Sequence, residues 1–118
     1  MLRYLKIPAG FCFQHLAMGD HAENGYCIHA FNTVYLNGKW IKLDASGSSN
    51  GGKNAQFSLD KPVLPYKNRP ELDEYFIKGI YAEPDIETMK MLEKACDTDY
   101  VLKNISDKLS IKPDIILD

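Results

Sequence analysis

The stretch CIHAFNTVYLNGKWIKLDASG, residues 27 to 47, decides how this chain is read. Two runs rich in β-branched and aromatic residues flank Asn37 and Gly38, a pair that tolerates the positive φ that both central positions of a type I′ turn require. The spacing predicts a hairpin, with strands near 26 to 36 and 39 to 45. If Leu36 and Lys39 flank the turn as partners, Tyr35 faces Trp40, Phe31 faces Asp44 and His29 faces Ser46. Side chains alternate along a strand, so one face carries Cys27, His29, Phe31, Thr33, Tyr35, Trp40, Lys42, Asp44 and Ser46. The other carries Ile28, Ala30, Val34, Leu36, Ile41 and Leu43 with Asn32 and Lys39, and this aliphatic face is the one expected to pack on a core. His29 and Asp44 are then diagonal neighbours on the mixed face, roughly 7–8 Å apart at the backbone, within reach of a side-chain hydrogen bond. A slip of one residue in register would send them to opposite faces.

Outward from the hairpin, AGFCFQHL (9 to 16) predicts a buried strand and GDHAENG (19 to 25) a loop. MLRYL reads as a single turn of helix stopped before Pro8. SGSSNGGKNA (46 to 55) has loop composition, and QFSLDKPVLPYKNRPELDEYF, with three prolines, reads as an irregular segment wrapping the sheet. From Pro84 the pattern turns helical. Asp85 can cap, Glu87 sits in the first turn, and Ile86, Met89, Met91, Leu92 and Ala95 give an apolar face up to Cys96. A second helical piece is predicted over Thr98 to Leu109. The expected fold is α+β: one domain over 1–118, sheet-rich to residue 84, helical over 85–110, with a tail at 111–118.

Several classes of function are excluded. The formal net charge is −2 and the lysines and arginines are scattered, which argues against nucleic acid. No apolar run approaches the roughly 20 residues that span a bilayer. Arg3 and Lys6 ahead of IPAGFCF imitate a cleavable signal, but Pro8, Gly10, Gln14 and His15 interrupt the apolar run, so a cytoplasmic location is expected. Three cysteines at no repeated spacing read as reduced thiols. Cys12, His15, His21, Cys27 and His29 are zinc-compatible, yet Cys12 and His15 should face opposite sides of a strand and no CxxC pair exists. No metal and no cofactor are expected.

A histidine oriented by a carboxylate is the base half of nucleophilic catalysis, because the carboxylate fixes the ring tautomer and stabilises the imidazolium. A lone histidine is more commonly structural. Here HAFNTVYLNGKWIKLDAS resembles the core motif of the transglutaminase-like superfamily of papain-type thiol enzymes: a strand opening His-Ala, a Gly-Lys-Trp turn, and a second strand closing Leu-Asp. His29, Ala30, Gly38, Trp40, Leu43 and Asp44 fit it. LRYLKIPAGFC is similar to the segment that follows the nucleophile helix in that family, and AQFSLDKPV and IYAEPD to later segments of a bacterial branch. The likeness runs from Leu2 to about Asp85.

The resemblance implies His29 as general base, Asp44 as its orienting acid, and a peptide or amide substrate. In the family the nucleophilic cysteine opens a helix ahead of the LR segment, and no such helix precedes Met1 in these residues. The expectation is an incomplete triad without activity, with Met1 an internal methionine of a longer protein. Cys12, Cys27 and Cys96 are each expected to be small buried hydrophobes and not substitutes. A sheet stripped of its nucleophile helix would expose apolar surface, so a homodimer or swapped oligomer is expected. The alternative function is a non-catalytic binding or scaffold module that retains the fold.

Overall fold

The computed structural model describes residues 2–44, 56–57 and 68–116, with Asp44, Gln56 and Phe57 described through their backbone alone. Strands β1 (Ala9–Ala17), β2 (Tyr26–Leu36), β3 (Lys39–Asp44), β4 (Gln56–Phe57) and β5 (Tyr75–Tyr81) precede helices α1 (Ile86–Lys94) and α2 (Thr98–Asn104). Single 3-10 turns occupy Arg3–Leu5, Ala22–Asn24 and Pro70–Leu72. The strands form one antiparallel sheet in the order β4-β3-β2-β1-β5. The fold is α+β: four principal antiparallel strands, a two-residue fifth, and two C-terminal helices. The loop expected at 46–55 and much of the proline-containing segment after Phe57 lie outside the described residues.

The hairpin register is the expected one. Leu36 pairs with Lys39, Tyr35 with Trp40, Thr33 with Lys42 and Asn32 with Leu43. Asn37 and Gly38 have φ of 51° and 79°, the left-handed pair that a type I′ turn demands. The Tyr35 and Trp40 rings stand 5.3 Å apart across the strands.

Packing departs from the expectation that only the aliphatic face is core. Val34 and Ile41 on that face are buried, but the cluster of Cys12, Phe31 and Ile80, with Trp40 and Phe76 against it, lies on the mixed face. Polar members of that face are accommodated by partners. The Thr33 hydroxyl donates to the Ile41 carbonyl at 3.0 Å, and the Lys42 ammonium lies 4.3 Å above the Phe76 ring.

Strand β5 was not legible in the sequence. It pairs with β1 through Phe13–Ile77, Gln14–Phe76 and His15–Tyr75, then slips register before Phe11–Tyr81. The irregularity contains Gly79 at φ 145°, where an added Cβ would stand 2.6 Å from Pro113 Cβ. The bulge breaks the alternation by which a strand is read. It also seats the tail: Ile80 exchanges backbone hydrogen bonds with Ile115, and the Asp114 carboxylate accepts from the Ala82 amide.

Helix α1 begins at the predicted cap, Asp85, and α2 begins at a second cap, Asp97, that did not stand out in the sequence. Asp85 Oδ2 accepts from the Thr88 amide at 3.0 Å, and Asp97 Oδ1 from the Tyr100 amide at 2.8 Å. Both helices end early, α1 at Lys94 and α2 at Asn104 instead of Leu109. Asp85 Oδ1 also accepts from the amide and hydroxyl of Ser110, both at 2.7 Å. One buried carboxylate thus ties the start of α1 to the chain beyond α2. Burial raises the Asp85 pKa, and the bonds from Ser110 and Thr88 outweigh it, leaving the carboxyl below its ordinary value. Replacing Asp85 by Ala removes the cap and orphans Ser110, and should lower unfolding stability by about 2–3 kcal/mol in urea titrations near neutral pH.

Candidate functional site

His29 sits near the middle of β2, half-buried, on the face that carries Cys27, Phe31 and Thr33. Its ring lies 6.0 Å from that of Phe31. Asp44 is the last residue of β3, where it pairs with Gln56 of β4. The β2–β3 pairing that carries the two predicted site residues runs from Leu36–Lys39 to Asn32–Leu43, one step short of Asp44. The Asp44 side chain lies outside the described residues.

A cleft of about 600 Å³ opens beside His29. Leu16, Cys27 and His29 form one wall; Met18, Asp20, Arg69 and Glu74 form much of the rest. Only Cys27 and His29 of these stood out in the sequence. The others arrive through the β1–β5 pairing and the turn before β5, which brings residue 74 beside residue 17. Glu74 is buried, and its carboxylate accepts from the Ala17 amide, the Arg69 amide and the Arg69 guanidinium. The guanidinium also donates to Asp20 Oδ1 at 2.9 Å and to the Gly19 carbonyl at 2.8 Å. The side-chain bond from Arg69 is the main force holding the Glu74 pKa below the usual carboxylate range; the same carboxylate pushes the Arg69 pKa up.

Gln14 also belongs to the histidine face. It pairs with His29 across β1 and β2, is wholly buried, and its amide donates to Asn68 Oδ1 at 2.9 Å. In the sequence Gln14 and His15 both stand where they could border a cleft, and of the two only Gln14 reaches the histidine face. His15 goes to the opposite face, stacked between Tyr26 and Tyr75 with ring centroids 4.4 and 4.8 Å away. Among the described residues no group of three His, Cys, Asp or Glu is placed to hold a metal, and no helix is long and apolar enough to cross a membrane.

The cysteines differ from one another more than expected. Cys12 is buried, and burial pushes its thiol up to about 11 despite Lys42 and the Thr33 hydroxyl nearby. Cys27 is half-buried; desolvation first, then the Glu74 carboxylate, raises its pKa. Cys96 is exposed, which corrects the expectation of a buried residue: α1 ends before it, so no helical face carries it inward. A thiolate nucleophile needs a lowered pKa, and neither cysteine of the histidine face has one.

No protein-family model, curated protein or solved structure matches this chain.

Two measurements follow from this geometry. Limited alkylation with iodoacetamide near neutral pH, mapped by mass spectrometry, should label Cys96 first, Cys27 slowly and Cys12 last. Glu74, with its pKa depressed on folding, contributes stability that is complete above its ordinary value of 4.5 and is lost as pH falls through the folded value. Glu74→Gln should therefore cost about 1–3 kcal/mol at neutral pH and flatten the acid limb of the stability curve, leaving the part due to Asp85.

Proposed function

We propose that these residues form the His–Asp part of a transglutaminase-like thiol-enzyme domain, from a lineage that acts on peptide or amide bonds through a Cys-His-Asp triad. The observation that carries this reading is the β2–β3 register, which supports His29 and Asp44 as diagonal neighbours on one face beside an open cleft. In this reading Asp44 orients the His29 imidazole, and His29 takes the proton of an attacking thiol. The thiolate adds to the substrate carbonyl, and the proton passes to the leaving amine as the acyl-thioester forms. Water or a second amine then completes hydrolysis or transfer. In this reading the thiol comes from polypeptide outside residues 1–118, since burial raises the pKa of Cys12 and of Cys27 and Cys96 is exposed beyond α1.

A second reading, a binding module that keeps the fold and performs no chemistry, is favoured by one feature. The charged groups of the cleft are paired with one another, Arg69 with Glu74 and Asp20, with no polarising group left over among them for a reacting carbonyl.

The test compares the 118-residue chain with a product extended through the in-frame codons upstream of Met1, using a glutamine-containing peptide as acyl donor. The shorter chain should give no turnover. The extended one should act through a cysteine ahead of Leu2, and His29→Ala or Asp44→Ala should lower its kcat/KM by about 10²–10⁴. Full activity after loss of His29, or an upstream region without a cysteine, would count against the triad and for the binding module.

A further inference from the structure

The face of the sheet opposite His29 holds a second cavity, of about 240 Å³, between the strands and the helical segment. Phe11 and Phe13 of β1 and Ile28 and Ala30 of β2 form its floor, and Met89 and Leu92 of α1 its roof. Ile105 and Leu109, beyond α2, close the far side. Polar groups reach it only at the rim, from Asp85, Thr88 and Ser106.

A gap of this kind between apolar walls normally collapses, since interiors pack to crystal-like density and an unfilled void forfeits contacts. Here the roof is pinned independently of the floor. Asp85 fixes the start of α1 to Ser110, and Ile115 and Pro113 are held against Ile80 and Gly79 of β5. The helices therefore stand off the sheet, leaving Ala30 exposed and Met89 and Leu92 at 43% and 45%. Three apolar side chains facing a dry-walled cleft are an unfavourable use of surface unless something apolar enters it.

We infer that this cavity is a binding site for a small neutral apolar molecule, about the size of a fused two-ring aromatic. The volume sets the size, since an apolar cavity of about 150 Å³ already accepts benzene. The lining sets the charge. Among the described lining residues the one ionisable group is Asp85, and its two oxygens are engaged by Thr88 and Ser110, so it repels an anion without being free to bind a cation. A fatty acid or aryl carboxylate is thereby disfavoured against its neutral counterpart. The site shares no residue with the His29 cleft apart from Ile28, whose neighbours on β2 point to the other face, and it does not depend on the triad.

Indole and indole-3-carboxylate are the probes, titrated into the full chain carrying labelled methyl groups. Indole should shift the Ile28, Ile105 and Met89 methyl resonances together, leave those of Ile7 and Leu36 in place, and raise Tm. The carboxylate should bind at least tenfold more weakly. Ala30→Phe, which fills the cavity from the floor, should weaken indole at least tenfold while the far-ultraviolet spectrum stays unchanged. Leu92→Trp fills it from the roof and serves if the first variant does not fold. Absence of shifts at millimolar indole, equal affinity for the carboxylate, or undiminished binding in the folded filled variant would each overturn the assignment.

Discussion

Two adjacent residues in the left-handed conformation, Asn37 and Gly38, set the partner of every side chain along β2 and β3. The proposed pairing of His29 with Asp44 depends on that register. A strand has a period of two, so a slip of one residue between β2 and β3 would send every β3 side chain to the other face relative to β2. The turn can hold the register because Asn and Gly accept positive φ at low cost, where a β-branched residue would not. The Tyr35–Trp40 pair beside the turn adds a contact that only this register makes.

The sheet so registered is buried on both sides by different means. On the histidine face, burial is centred on Cys12, Phe31 and Ile80, and two buried polar side chains there donate hydrogen bonds, the Gln14 amide to Asn68 Oδ1 and the Thr33 hydroxyl to the Ile41 carbonyl. On the other face Phe13 and Tyr81 meet edge to face at 4.9 Å, and the helices lie above without burying any residue of their own below the surface. The first arrangement is dense and polar at its margin. The second is apolar and loosely roofed, as a cavity requires.

Two carboxylates hold the periphery to this sheet. Glu74 collects the Ala17 amide and Arg69, joining the turn before β5 to the end of β1. Asp85 collects Thr88 and Ser110, joining both ends of the helical segment. Each is buried and each is satisfied by several donors, which is the condition under which a buried charge stabilises instead of destabilises. Both are short-range anchors at the points where the chain leaves the sheet, so both decide the shape of the adjoining cavity.

The sequence by itself determined the hairpin, its register from Leu36–Lys39 onward, the first strand and the helix cap at Asp85. All of these are local, written in turn chemistry, alternation and capping within a few residues. Only the tertiary structure decided that the mixed face holds the tightest cluster, that a bulged strand at 75–81 flanks β1, and that Arg69 and Glu74 join His29. Those features depend on pairings between residues far apart in the chain, such as Gln14 with Phe76 and Ala17 with Glu74, which leave no local periodicity. Alternation tells which side chains share a face; what covers that face is settled by distant segments, and that is a matter of packing.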